Sequence, residues 1–148
     1  MLLTPHFTLA ELTTTRTGLP NTPGEAEVAK LRKVAEMLET IRAHFGRPVA
    51  VHSGYRSPAV NAAVGGSKTS QHMLAEAADF HVDGVGLVEV FDWIRLHSGI
   101  AYGQVLLEGA DPKTPTWLHL SLGEPYRPAA KCRQALRWDA AHGYRAVT

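Results

Sequence analysis

The chain has 148 residues, 45% of them hydrophobic and 20% charged, with a formal net charge of +1. That is enough for one domain, 1–148, with a substantial core, and the near-zero charge argues against a nucleic-acid partner. No apolar run approaches the roughly 20 residues needed to span a bilayer, and a single Cys132 excludes an internal disulfide and a cysteine-based metal site.

The opening MLLTPHFTLAEL lacks the basic and sustained apolar regions of a secretory signal, so the expectation is a chain made without one. Within it FTLAELTTT predicts a short helix capped by Thr8. A turn-rich stretch, GLPNTPGE, follows. From Glu25 to Phe45 the apolar residues Val28, Leu31, Val34, Leu38, Ile41 and Phe45 recur at helical spacing, and Gly46 and Pro48 end the helix. PVAVHSG predicts a strand, and SPAVNAAVGG a short helix opened by Pro58. AADFHV alternates, with Ala78, Phe80 and Val82 on one face and Ala77, Asp79 and His81 on the other. GLVEVFDWIRLHSG returns to helical period, YGQVLLEG and TWLHLSL predict two more strands, and RPAAKCRQALRW predicts a final helix. The pattern is α+β: a small antiparallel sheet with N-terminal helices on one face and a cleft on the other.

The polar faces of these strands are unusual. They carry Asp79 and His81, Gln104 and Glu108, and His119, with almost no lysine, whereas a solvated face is rich in Lys and Glu. Zinc in a catalytic site takes three protein ligands, and both imidazole and carboxylate serve. His72 before one strand, Asp79 on it and His119 on another make a candidate set, and Ala75, Ala77 and Ala78 between the first two leave room for the chain to close around an ion.

SGYRSPAVNAAVGGSKTSQHMLAEAAD followed by WLHLSL resembles the zinc D-alanyl-D-alanine carboxypeptidases and their relatives. Those relatives include L-alanyl-D-glutamate endolysins and vancomycin-resistance D,D-dipeptidases, and the metal-binding fold is shared with Hedgehog signalling domains. The family pattern S-x-H-x-x-G-x-A-x-D with a later W-x-H is met by Ser70, His72, Ala77, Asp79, Trp117 and His119. The resemblance implies zinc on His72, Asp79 and His119, and Arg56 of SGYRS holding the substrate carbonyl or carboxylate. Two positions depart from the pattern. Ala75 replaces the glycine between the first ligands, a change that is strained if the position takes positive φ. Thr116 stands where many relatives carry the acidic base, and Glu108, at the end of the preceding strand, matches the place that supplies it in a subset. Asp111 is the next candidate.

The resemblance therefore implies a zinc peptidase acting on peptidoglycan peptides at the cell wall, of D-Ala-D-Ala carboxypeptidase or L,D-endopeptidase type, with Ser70, Gln104 and Trp117 lining the substrate cleft. A monomer is expected, and a phage or prophage lysis protein and a bacterial wall-remodelling enzyme both stay open. Thr116 keeps open a reading from another class, a non-catalytic zinc-containing peptidoglycan-binding module. His81 is either a partner of Asp79 or a plain polar strand residue. His6, His44, His97 and His142 read as surface histidines, and Cys132 as a packing residue.

Overall fold

The computed structural model describes residues 1–109, 111 and 115–147. The chain enters as a short antiparallel ribbon, β1 (Leu2–Thr4) and β2 (Phe7–Thr8), and turns directly into α1 (Leu9–Leu12). Thr8 caps that helix as its sequence implies. Its hydroxyl accepts from the Glu11 amide while the Glu11 carboxylate accepts from the Thr8 amide, so two end donors are satisfied reciprocally.

Helix α2 (Glu25–Phe45) has the predicted bounds, and its chain reverses at Gly46, which takes the left-handed conformation at φ 63°. Leu31, Val34, Leu38 and Ile41 are fully buried along one stripe. Each such side chain contributes roughly 1.5–3 kcal/mol of transfer free energy, so the helix is held by packing more than by its own propensity.

The remaining elements are β3 (Val49–Ser53), α3 (Pro58–Ala63), β4 (Ala77–Val82), α4 (Leu87–Leu96), β5 (Tyr102–Glu108), β6 (Trp117–Leu122), β7 (Gln134–Asp139) and β8 (Gly143–Ala146). The class is α+β as expected, but the sheet is neither small nor wholly antiparallel. Six strands run in the order β3-β4-β6-β5-β7-β8, and β5 and β7 are parallel.

The difference arises at the C-terminus. The predicted final helix is reduced to a 3-10 turn at Ala129–Lys131. Arg133 then takes φ 55°, which ends any helical continuation, and the next residues pair with the outer edge of β5. A helix there would leave that edge unpaired, and the β-competent Leu136 and Trp138 suit a strand equally well.

Antiparallel register fixes which side chains share a face. Phe80, Leu118 and Leu107 lie in one row, and Ala78, Leu120 and Val105 in the next. These residues join α2 and α4 in one continuous core. The opposite face carries the row Ser53, Asp79, His119, Leu106 and Leu136, and beyond it Trp117 and Glu108. Period-two alternation thus places the polar set on the side away from the helices.

Candidate metal centre

Asp79 and His119 are direct cross-strand partners on β4 and β6, which sets their Cβ atoms within about 5 Å of each other. His72 reaches them from the loop between α3 and β4. Its Nε2 lies 3.1 Å from Asp79 Oδ1, and His119 Nδ1 lies 2.9 Å from the same oxygen. The three residues are 4%, 5% and 8% exposed, and one donor atom from each falls within 4.8 Å of the others. Among the described residues this is the one group of three or more His, Cys, Asp or Glu side chains so arranged.

The far side of each ring is already committed. His72 Nδ1–H donates to the Gly54 carbonyl at 2.7 Å, and His119 Nε2–H donates to Gln71 Oε1 at 2.8 Å. Each bond fixes the ring orientation and leaves Nε2 of His72 and Nδ1 of His119 as the nitrogens facing Asp79. Burial works against an ionised Asp79. Without a metal, the positive charge of a doubly protonated His72 ring, and the hydrogen bonds that His119 and His72 donate when the nitrogens facing Asp79 carry protons, outweigh it, so the carboxyl is held well below the usual carboxylate range. A buried set of two nitrogens and one carboxylate oxygen suits zinc in the three-ligand pattern of catalytic sites.

The loop that carries His72 is pinned from several directions. The His72 amide donates to Ser70 Oγ, the Arg56 amide donates to the His72 carbonyl, and Glu76 is paired with Lys30 of α2 at 2.8 Å. Ala75 is fully buried at φ 61°. A non-glycine residue in that conformation costs roughly 1–2 kcal/mol, so the turn tightens toward the metal donors at a local expense.

Arg56 stands against the donors. Its Nη2 is 3.4 Å from Asp79 Oδ2, its Nε donates to Ser53 Oγ, and its Nη1 approaches Asn61 Oδ1. Asn21 holds the segment in place, donating to the Thr13 and Tyr55 carbonyls and accepting from the Ser57 amide.

A cleft of about 770 Å³ opens over this face. All the residues expected at the site line it: Arg56, Ser70, His72, Asp79, Gln104, Glu108, Trp117 and His119. Glu108 and Trp117 are cross-strand partners, and the indole Nε1–H donates to Glu108 Oε2 at 2.8 Å. Gln104 donates to Gln134 Oε1 at 3.0 Å. Asp111 is exposed and is not among the lining residues.

The sequence profile of the Peptidase M15 family matches residues 5–109. The chain belongs to that family. Comparison with curated proteins finds no match. M15 peptidases are zinc-dependent metallopeptidases, and the buried His72–Asp79–His119 group has the chemistry their metal requires. The M15 match ends before Trp117 and His119, so the third donor is brought in by fold geometry rather than by the matched segment.

Sequence reasoning missed Gln71, which sits between Ser70 and His72 with no spacing that marks it. It also missed the cleft wall formed by Arg127, Lys131 and Leu136, where a helix was expected, together with Tyr126 and Tyr144 on either side of that segment. His81 bonds to His52 and Asp83, not to Asp79. His44 stacks on Trp93, and His142 binds Asp139 in the β7–β8 turn. Cys132 lies half-buried just past the 3-10 turn, its thiol directed at the Arg127 and Pro128 carbonyls.

Proposed function

We propose that this M15 chain hydrolyses peptide bonds in the stem peptides of bacterial peptidoglycan, with His72, Asp79 and His119 holding zinc and Glu108 acting as the base. The observation that carries the reading is Glu108 itself, fixed by Trp117 on the wall of the cleft that also contains the three donors. It stands one strand away from Thr116, the position that lacks an acid.

When bound, zinc supplies Lewis acidity and a water acidified to a pKa of about 7. Glu108 takes the proton of the attacking water and returns it to the leaving amine, a role worth about 10²–10⁴ in rate. The indole hydrogen bond holds the carboxylate in one orientation, which limits the reorganisation needed before each transfer. Arg56 presents its planar fork to the substrate carbonyl or terminal carboxylate. Ser70, Gln104 and Trp117 shape the floor and wall on which the peptide lies. One chain carries donors, base and cation together, so a monomer suffices, and the cell wall is its place of action.

The test is digestion of purified muropeptides by zinc-loaded protein, with products weighed. Loss of one alanine identifies a carboxypeptidase, and a freed stem peptide identifies an endopeptidase. Glu108→Gln is expected to keep its zinc while turnover falls by about 10² or more. Intact muropeptides in the presence of fully loaded wild-type protein would instead favour the binding module.

A further inference from the structure

We infer that the C-terminal wall of the cleft is a carboxylate-binding subsite, in which Arg127 and Lys131 select substrates bearing a second negative charge beyond the group taken by Arg56. The inference rests on the peptidase reading for the identity of the ligand, but the subsite follows from charge and packing.

Among the described residues the cleft is lined by three acids and three cations. Each acid already has a partner: Asp79 faces Arg56, Glu76 is paired with Lys30, and Glu108 accepts from Trp117. Arg56 is likewise engaged by Asp79, Ser53 and Asn61. Among the described residues, neither the Arg127 guanidinium nor the Lys131 ammonium makes a side-chain hydrogen bond or ion pair. Lys131 is exposed, but Arg127 is half-buried against the sheet. The packed stem of Arg127 sets its guanidinium on the cleft wall with no acid paired to it, so its fork of donors is left for a ligand.

Gly103 shows how Arg127 is seated. A Cβ on that residue would lie 2.7 Å from Arg127 Cδ and 2.9 Å from Ser121 Oγ. The bare glycine backbone of β5 is therefore the surface on which the arginine stem lies, beside the irregular pairing of β5 with β6. The segment also lies beyond the residues matched by the family profile.

The substrate class this predicts is a stem peptide whose D-glutamate α-carboxylate is free and not converted to the carboxamide. A carboxylate accepts two charge-assisted hydrogen bonds from an arginine fork, whereas a carboxamide offers one oxygen and two donors that the cations reject.

The experiment compares two otherwise identical stem peptides, acid and amide, on the zinc-loaded full chain. Wild type should prefer the acid by about ten- to a hundredfold in kcat/KM, less at high salt. In Arg127→Gln with Lys131→Gln that preference should vanish through a raised KM for the acid form, with kcat and zinc content unchanged. Arg127→Lys should retain much of it. Lys131→Gln alone, at an exposed position, serves if the double variant misfolds, and should lose part of the preference. A wild type that cleaves both peptides equally, or a double variant that keeps the preference, overturns the subsite. If wild type cleaves neither peptide, the peptidase reading fails, and calorimetric binding of the uncleaved acid and amide then decides the subsite by itself.

Discussion

At the scale of single residues, orientation matters as much as donor chemistry. His119 would be free to swing about χ2 on its strand if only Asp79 met it, but Gln71 Oε1 at 2.8 Å ties down the nitrogen on the far side of the ring. Gln71→Ala removes that acceptor while leaving all three donors in place. Metal affinity is expected to fall by about 10–100-fold, the usual effect of losing such a partner, with the fold intact by circular dichroism. Competition against a chelator of known affinity measures it, and an unchanged dissociation constant would show that strand packing alone fixes the ring. The candidate donors were legible through the family pattern that they complete, whereas a histidine and an aspartate seven residues apart carry little weight alone. Gln71 was not, because an amide beside a histidine has no pattern until the fold brings the chain from 119 back to 71. Ala75 was legible in part: the pattern marked a glycine site, and φ 61° supplies the reason.

At the scale of elements, backbone packs closely on backbone behind the candidate metal donors. The Gly54 carbonyl that orients His72 comes from the turn after β3, where a Cβ on Gly54 would sit 2.2 Å from the Leu12 carbonyl oxygen at the end of α1. Backbone cannot yield there as a flexible side chain would. Gly54→Ala should therefore push the turn away from α1, lowering stability by about 1–3 kcal/mol, as overpacking does, and weakening metal binding through His72. Urea denaturation and metal titration read the two effects separately. A variant of wild-type stability would mean that the turn shifts freely. The central helices and strands were readable from period alone because each buries a single apolar stripe. The last strands were not. Ala129, Ala130, Ala135 and Leu136 fit a helical period as well as a strand, and the choice was made by the open edge of β5, a long-range partner absent from any local window. The β1–β2 ribbon was hidden for a similar reason, being only three and two residues long.

At the scale of the whole molecule, the three donors join a loop, a central strand and its neighbour, with 40 residues separating Asp79 from His119. An ion bound there links segments that otherwise meet only through packing and sheet hydrogen bonds, so it stabilises the native state by mass action. At a free zinc concentration about 100 times the dissociation constant the gain is about 2.7 kcal/mol, which for a chain of this size is a rise in Tm of roughly 5–10 °C. Chelation should remove that rise, and in His119→Ala the Tm should hardly respond to chelator at all. The pH dependence has a definite sign. Asp79 is held below the usual carboxylate range, so its contribution is present above its unfolded pKa of about 3.9 and is lost only as pH falls below that. Between pH 7 and 5 it stays ionised. Metal binding requires ligands free of protons, so affinity falls in acid, and the gap in Tm between loaded and chelated protein should narrow as pH is lowered. A gap that survives undiminished in acid would count against a site built from His72, Asp79 and His119.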